Sequence, residues 1–360
     1  MAGLATQAFD SLPPHQKSFL RSLPKAELHA HLNGCIPLDC LIKLALDASK
    51  SDGPQPPLVR EALQILKAGL NLNRIEDGFK LFPAIYHITS TPKAIALATS
   101  AVLDFFLEPT SPGVPPQCVY MELRTTPRST PHMSRKEYLS VVLGEVVKRG
   151  GKASLIVSID RRMSPQDVAE CISLAIHFRN SGQPIVGIDL CGNPLSGNMK
   201  AFHTLMDAAR DAQLPLTAHI AESERNTAQD TAEILSWSPR RLGHATFLDA
   251  DAVLKVSREK IPIEICLSSN LVSKTVESLS AHHLRSWLEL GHPVIICTDD
   301  TLLFKTNLVA EYALLLARPP LGLGFEEEEI RRIAQMGFRY RFHESRKTWN
   351  AVQKIARFKN

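Results

Sequence analysis

The sequence predicts an α/β fold, a (β/α)8 TIM barrel with a helical insertion after the first strand. Eight short apolar runs recur along the 360 residues, and each ends in one or two polar residues. Continuous apolar runs are typical of parallel strands covered on both faces. From the second run onward they are roughly 22 to 34 residues apart, as βα units are. An open doubly wound sheet is the competing architecture, but the early GxGxxG turn expected of it is missing.

Helical patterns lie between the apolar runs. "SPQDVAECISLAIHF" predicts a helix with Ser164 as its N-cap and Pro165 at its first position. The regular alternation of strand and helix favours a closed barrel, in which the carboxyl ends of the strands carry the chemistry. In chain order, the predicted strands are residues 26–31, 118–124, 153–161, 184–190, 215–220, 240–246, 262–268 and 293–300.

We expect one domain, residues 1–360, because barrels of this length commonly form a single unit. Residues 1–22 are predicted to be an N-terminal extension. The first two strands are separated by roughly 85 residues of helical character, so residues 41–117 are predicted to be a helical insertion over the active face. Three aromatic side chains in this insertion could line a ligand pocket, or could pack only between helices: Phe79, Phe82 and Tyr86.

The composition is that of an ordinary globular protein, with 44% apolar residues, 22% charged residues and a net charge of +4. The densest basic stretch follows "EEEE" and is predicted to be a solvated terminal helix. No run of about 18 apolar residues is present to span a membrane, and the N-terminus lacks a signal-peptide pattern. The seven cysteines show no CxxC spacing, as expected in a reducing compartment. We therefore expect a cytoplasmic monomer that binds neither nucleic acid nor membranes.

Two histidines stand one residue apart in "ELHAHLNG". On a strand, residues i and i+2 face the same way, so His29 and His31 would point into the barrel together. This spacing alone is weak evidence for a metal site. Further polar residues end later strands, where each could also be a core histidine or a helix cap. Because these strand ends meet at one face of a barrel, we expect convergence of His219, Glu222, His244, Asp299 and Asp300.

Three neutral imidazoles and one carboxylate form a shell suited to a borderline cation such as Zn2+. Water bound to such a cation ionises at a pKa near 7, which makes hydroxide available at neutral pH. Glu222 could act as the proton shuttle, and His244 could orient or deprotonate the attacking water. The predicted chemistry is hydrolytic attack on an electron-poor carbon, such as an aromatic C–NH2 or C–NHR group.

The segments "LPKAELHAHLNG", "IVGIDLCGNP", "AHIAE", "LGH" and "ICTDD" occur in this order. Because it contains these segments, the chain from Leu23 onward resembles the adenosine deaminase family of the amidohydrolase superfamily. The resemblance implies a (β/α)8 barrel and one Zn2+ per chain, held by His29, His31, His219 and Asp299. Binuclear members of the superfamily carry a bridging lysine at the end of the fourth strand. The corresponding "GIDLCG" has none, which argues for one metal.

The resemblance also implies roles for individual residues. Glu222 would protonate the purine ring nitrogen beside the reacting carbon, while His244 and Asp299 position the hydrolytic water. Asp300 would contact the far side of the purine, and the backbone N–H of Gly192 would reach a ring nitrogen. The implied catalytic residues are thus Glu222, His244 and Asp299.

Asn33 indicates whether the substrate carries a 5′-phosphate. True adenosine deaminases carry an acid at this position, in "HLDG", where it would repel a 5′-phosphate. At about 5 Å and an effective dielectric constant near 20, that repulsion is several kcal/mol before screening. A neutral amide removes the repulsion and can donate a hydrogen bond. The alternative is that Asn33 only closes the turn with Gly34.

The stretches "YMELRTTPR", "SIDRR" and "CLSSN" are similar to the adenosine deaminase-like branch of the family. Members of this branch hydrolyse N6-methyl-AMP and related N6-substituted purine nucleoside monophosphates to IMP and an amine. Because "DDTLLFK" is closer to adenosine deaminase itself, free adenosine is the alternative substrate. A catalytically silent nucleotide-binding relative is the alternative from a different class. Cys35 and Ala245 depart from the family pattern, where serine and glycine are usual.

Arg124 and Arg128, with Thr125 and Thr126, are predicted to bind the phosphate, since a guanidinium matches phosphate geometry. For Arg128, a rim ion pair is an equal alternative. The full set of residues predicted to bind the purine nucleotide is Asn33, Arg124, Thr125, Thr126, Asp160, Gly192 and Asp300.

Overall fold

The computed structural model describes residues 3–70, 72 and 76–342. Eight parallel strands form one sheet, in which each strand pairs with the next along the chain. The two edges of this sheet meet, because Asp299 N–H donates to His29 O at 2.8 Å and His31 N–H donates to Asp299 O at 3.3 Å. The predicted (β/α)8 barrel is confirmed. The strands are β1 (Ala26–His31), β2 (Tyr120–Thr125), β3 (Ala153–Asp160), β4 (Ile185–Cys191), β5 (Leu216–Ile220), β6 (Arg241–His244), β7 (Ile263–Ile265) and β8 (Val294–Ile296).

The helices surround this sheet. Ser164 Oγ accepts a hydrogen bond from Asp167 N–H at 3.2 Å, and Pro165 is the first residue of the following helix, as predicted. The helices are α1 (Leu4–Ser11), α2 (Pro14–Ser22), α3 (Leu38–Asp52), α4 (Pro57–Ala68), α5 (Glu76–Phe79), α6 (Phe82–Ile88), α7 (Pro92–Leu107), α8 (Arg135–Val147), α9 (Pro165–Asn180), α10 (His203–Asp211), α11 (Ala228–Ser236), α12 (Ala250–Glu259), α13 (Leu267–Val272), α14 (Leu284–Glu289), α15 (Thr301–Phe304), α16 (Leu308–Leu316) and α17 (Glu327–Arg339), with a 3-10 turn at Met199–Phe202.

The chain between β1 and β2 contains α3 to α7, in the segment predicted to be a helical insertion. Within it, α3 packs against α4, α6 and α7, and α4 also packs against α6. The helices α1 and α2, which precede β1, pack against α16. Among the described residues, none of the helices combines the length and the apolar character needed to cross a bilayer.

The last two strands are shorter than the sequence predicts. The predicted seventh strand reaches residue 268, but β7 ends at Ile265 and α13 begins at Leu267. The predicted eighth strand reaches residue 300, but β8 ends at Ile296. Asp299 then adopts a φ of 62°, a left-handed conformation that cannot extend a strand. Cys266, Leu267 and Cys297 continue the apolar runs in the sequence, but the chain turns after Ile265 and Ile296. The polar residues that follow therefore lie at the face of the barrel.

Candidate active site

Five side chains converge at the carboxyl end of the barrel, as the positions of the strand ends predict. His29 and His31 come from β1, His219 from β5 and His244 from β6, while Asp299 follows β8. The Nε2 atoms of His31 and His219 are 3.1 Å apart. Asp299 Oδ1 lies 3.5 Å from His29 Nε2 and 3.4 Å from His31 Nε2. The structure therefore brings distant parts of the chain into one cluster of nitrogen and oxygen donors.

Two of these histidines are oriented by partners on their far side. His29 Nδ1 lies 2.7 Å from Glu264 Oε2, and His219 Nδ1 lies 2.7 Å from Leu190 O and 3.1 Å from Asp189 Oδ1. Because carbonyl and carboxylate oxygens accept, each Nδ1 carries the proton and each Nε2 keeps its lone pair. His29 Nε2 is buried and has no hydrogen-bond partner within the described part of the chain. Histidines held in this way are suited to bind a metal.

The donor set fits a divalent cation. Two imidazole nitrogens on a tetrahedral Zn2+, each at ~2.0–2.1 Å, would be about 3.3 Å apart, close to the 3.1 Å between His31 and His219. Although burial alone would raise it, the adjacent imidazoles of His29 and His244 hold the pKa of Asp299 well below its usual value. An ionised carboxylate is therefore available. The donor atoms of His29, His219, His244 and Asp299 all lie within 4.8 Å of one another. His31 Nε2 lies 3.4 Å from Asp299 Oδ1 and 3.1 Å from His219 Nε2, so both His31 and His244 reach the donor set.

His244 also faces Glu222. Its Nε2 lies 3.3 Å from Glu222 Oε1, and both side chains are buried. Burial raises the pKa of Glu222 to about 7, so the carboxyl group can both give and accept a proton near neutral pH. Burial lowers the pKa of His244 well below its usual value, which keeps this imidazole neutral. The pair combines a proton-transferring acid with a neutral ring whose two nitrogens have no hydrogen-bond partner among the described residues.

Asp300 is a buried acid aimed into the same site. Burial, with the negative charges of Asp299 and Glu222, raises its pKa well above the usual value. A protonated Asp300 can donate as well as accept, and its Oδ1 has no partner among the described residues. Gly34 makes room for this group, because a Cβ at residue 34 would lie 1.6 Å from Asp300 Oδ1.

Gly192 and Asp160 meet on the opposite side of the site. Gly192 has a φ of 95°, which glycine tolerates best, and a Cβ there would lie 2.6 Å from Asp160 Cγ. Asp160 is bound by Arg162, whose Nη2 donates to Asp160 Oδ2 at 2.6 Å. The backbone of Gly192 therefore borders the site at a place where any side chain would collide.

One cavity links these groups. It has an empty volume of about 780 Å³, including its open mouth, within the range of small-molecule sites. Of the predicted site residues, all but His29, Arg128 and His244 line it. The insertion contributes an aromatic wall, which is one of the two alternatives that the sequence leaves open for Phe79, Phe82 and Tyr86.

Asn33 lies at one end of this cavity and connects to Arg128. Arg128 Nη2 lies 3.3 Å from Asn33 Oδ1 and 3.0 Å from Thr89 Oγ1. The guanidinium carbon lies 4.1 Å from the centre of the Tyr86 ring and 5.4 Å from that of Tyr138. Its Nε and Nη1 are buried without a hydrogen-bond partner among the described residues. Arg128 does not itself line the cavity, so its positive charge lies behind the neutral amide of Asn33 at this end.

Two predicted phosphate ligands have other partners. Arg124 is fully buried, and its guanidinium donates to Asp189 Oδ1 at 3.1 Å and to Glu264 Oε2 at 2.9 Å. With these partners it is held inside the barrel, so its position does not suit direct phosphate binding. Thr125 Oγ1 bonds the Tyr138 hydroxyl at 2.7 Å. Thr126 makes only a long contact of 3.6 Å to Cys191 Sγ and lines the cavity.

The acids beneath the histidines are not among the residues predicted from the sequence. Glu264 and Asp189 are fully buried in β7 and β4, where they orient His29 and His219. The available signal is a single acidic residue inside an apolar run, in "PIEICLS" and "GIDLCG". A carboxylate at such a place needs a buried partner, but the sequence does not say which one.

Known proteins of this architecture resemble the chain closely. A family model described as adenosine deaminase matches residues 24–357. N6-mAMP deaminase of Arabidopsis thaliana is 32% identical over 356 residues, which cover 87% of this chain and 96% of that protein. N6-Methyl-AMP deaminase of Homo sapiens is 35% identical over 316 residues, 84% of each chain. The solved structure of Arabidopsis ADAL complexed with IMP has a TM-score of 0.83 and 31% identity, and the match covers 94% of this chain and 98% of that one.

Proposed function

The chain belongs to the adenosine deaminase family, and from this premise we propose that it hydrolyses N6-methyl-AMP and related N6-substituted purine nucleoside monophosphates to IMP and an amine. One observation supports a nucleotide rather than a nucleoside as the substrate. The neutral Asn33 lies beside the guanidinium of Arg128, for which the described residues provide no carboxylate partner. The names of the similar proteins from Arabidopsis thaliana and Homo sapiens support the same substrate.

The proposed cofactor is one Zn2+ per chain, held by His29, His31, His219 and Asp299. When bound, such a cation supplies Lewis acidity that makes a hydrolytic nucleophile available at neutral pH. The protonated Nδ1 atoms of His29 and His219, fixed by Glu264 and by Leu190 O, keep both Nε2 lone pairs directed at the cation.

Glu222 is proposed to move the protons. In its neutral form it donates to the purine ring nitrogen beside the reacting carbon, which makes that carbon more electrophilic. It then takes a proton from the attacking water and passes it to the leaving amine. As the carbonyl group of IMP forms, the remaining hydroxyl proton returns to Glu222, so that one water is consumed for each IMP and amine formed. His244, 3.3 Å from Glu222 and uncharged, orients the water with Asp299.

The purine is proposed to lie between Asp300 and Gly192. The neutral carboxyl group of Asp300 can donate to a ring nitrogen on the far side of the base, and the N–H of Gly192 can donate to another. Phe79 and Phe82 exclude water from the opposite wall of the cavity. The 5′-phosphate would lie at the Asn33 end, where the charge of Arg128 attracts it.

Asn33→Asp is expected to shift the preference from nucleotide to nucleoside. The added carboxylate repels the phosphate and pairs with Arg128, so kcat/KM for N6-methyl-AMP should fall at least about tenfold, equivalent to ~1.4 kcal/mol. The value for N6-methyladenosine should change much less. Steady-state kinetics with both substrates measure this shift. Asn180→Asp, at the exposed end of α9, is the control and should leave both values unchanged. Equal losses for the two substrates would contradict the phosphate assignment.

His219→Ala is expected to lower the bound metal from about one ion per chain to a small fraction, because one donor of a four-ligand set is lost. Elemental analysis of the purified variant measures the loss. His177→Ala removes an exposed histidine of α9 and should leave the metal content unchanged. Full metal content in His219→Ala would exclude His219 as a ligand.

The direct test of the proposed function is turnover by the purified, metal-loaded protein. N6-methyl-AMP, AMP and adenosine are compared at equal concentrations, and IMP, inosine and methylamine are identified by mass spectrometry. IMP and methylamine from N6-methyl-AMP are the expected products. Rapid turnover of adenosine with none of the methylated nucleotide would assign the chain to adenosine instead, and no turnover of any of the three would favour a silent relative.

A further inference from the structure

The turn that carries His244 has an unfavourable backbone. His244 has a φ of 59° and Ala245 a φ of 49°. Both lie in the left-handed region, which residues with a Cβ seldom adopt. Strain of this kind persists only where the surroundings hold the backbone in place, so other residues must fix this turn.

The His283 side chain contacts the turn, in addition to the backbone hydrogen bond from Ala245 N–H to Ile220 O at 3.2 Å. Its Nε2 lies 2.9 Å from the backbone oxygen of His244, so Nε2–H donates and Nδ1 carries the lone pair. Burial lowers the pKa of His283 to about 4, which keeps this single N–H arrangement at neutral pH. Rotation about φ of His244 moves its carbonyl oxygen and its side chain together. The contact therefore restrains the direction in which the His244 side chain leaves the backbone.

The neighbouring His282 holds the same turn through a second route. His282 Nδ1 accepts from Leu284 N–H at 3.0 Å, so its Nε2–H donates to Asn270 Oδ1 at 3.1 Å. The amide of Asn270 donates to Thr246 Oγ1 at 3.2 Å. The rings of His282 and His283 are stacked at 4.4 Å with an interplanar angle of 19°. The turn is thus held at residues 244 and 246 by one pair of adjacent, stacked rings.

We propose that His283 is a positioning residue, which holds the His244 imidazole against Glu222 by donating a hydrogen bond to the carbonyl oxygen of His244. This inference rests on the proposed function, because His244 and Glu222 act together in it. It gives a role to a histidine that contacts neither the proposed metal ligands nor the cavity, and it explains how the strained turn at Ala245 is tolerated.

The test compares two substitutions of one residue. His283→Phe keeps a flat ring that can stack on His282 but loses the donor. We expect kcat to fall about tenfold or more, since small misplacement of a reacting group has effects of this size, with KM and metal content unchanged. His283→Gln retains an N–H donor at a similar reach and should recover most of the kcat. A crystal structure of His283→Phe should show the His244 Nε2 to Glu222 Oε1 distance increased beyond 3.3 Å.

The chain contains a matched control. His292 Nε2 also donates to a backbone oxygen, that of Ile261, at 2.7 Å, and its ring lies 4.5 Å from the ring of Trp287. It lies before β8, at the end of the barrel opposite the site. His292→Phe should lower the thermal midpoint of unfolding while kcat stays unchanged.

Several results would overturn the inference. An unchanged kcat in His283→Phe would do so, as would a loss of kcat in His283→Gln as large as that in His283→Phe. If His283→Phe does not fold, His283→Gln is compared with His283→Asn, because the shorter side chain of asparagine cannot reach the His244 carbonyl oxygen. Equal kcat values for these two variants would reject the inference. If the wild-type protein is inactive, the proposed function fails, and an unchanged distance between His244 and Glu222 in the structure of the variant would still decide the positioning role.

Discussion

Glu222→Gln is expected to lower kcat for N6-methyl-AMP by about two to four orders of magnitude, the range for loss of a general acid–base group. The amide has nearly the shape of the carboxyl group but cannot release a proton to the purine or accept one from the water. Glu222 lies 3.3 Å from His244 and is buried, so bulk water cannot replace it efficiently. Rapid-mixing or steady-state kinetics with purified protein measure the loss.

Glu224→Gln is the matched control for this substitution. Glu224 stands two residues further along the same loop and is exposed, so its replacement should leave kcat unchanged. The metal content of Glu222→Gln should equal that of the wild-type protein, because Glu222 is not among the proposed ligands. Wild-type turnover in Glu222→Gln would remove this residue from the mechanism, and loss of the metal would instead make it a ligand.

Glu264→Leu is expected to lower the free energy of unfolding by about 3–5 kcal/mol, the cost of leaving buried charges without their partner. Glu264 Oε2 accepts from Arg124 at 2.9 Å and Oε1 accepts from Arg241 Nε at 2.6 Å, and all three side chains are fully buried. Because His29 Nδ1 also loses its partner, metal affinity should fall about 10- to 100-fold. Urea unfolding and metal titration measure the two effects.

Glu259 provides the comparison at the surface. It pairs with Lys255 at 3.1 Å and Arg258 at 3.3 Å on exposed α12, so Glu259→Leu should cost no more than about 1 kcal/mol. If Glu264→Leu and Glu259→Leu lower the free energy of unfolding by similar amounts, the buried carboxylate of Glu264 contributes no more to stability than an exposed one.

The pH dependence of stability gives a second test of Glu264. Although burial alone would raise it, Arg124 and Arg241 hold the pKa of Glu264 well below its usual value. The folded state therefore binds the proton less tightly than the unfolded state, whose glutamate pKa is about 4.3. The stabilisation is fully present above that pH and is lost as the pH falls toward the folded-state pKa. Wild-type stability should decrease more steeply than that of Glu264→Leu below about pH 4.3.

The sequence alone predicts the barrel and the place of its chemistry. The period of the apolar runs depends on local chain geometry, and parallel strands direct their carboxyl ends to one face whatever the details of packing. For that reason the order of the strands is enough to predict that five side chains meet: His29, His31, His219, His244 and Asp299. The two short strands are harder to predict, because the apolar residues Cys266, Leu267 and Cys297 suit an extended chain and a buried turn equally well.

Only the tertiary structure decides which groups are paired. Arg124 looks like a phosphate ligand in sequence, yet Glu264 and Asp189 bind it inside the barrel. Arg128, four residues later, retains unpaired N–H groups beside Asn33 among the residues that the structure describes. The reason is that burial and pairing depend on residues distant in the chain, and the free energy of a charged group is set by those neighbours rather than by its own type. For the same reason the sequence does not predict the role of His283, because its contact with His244 joins residues 39 positions apart.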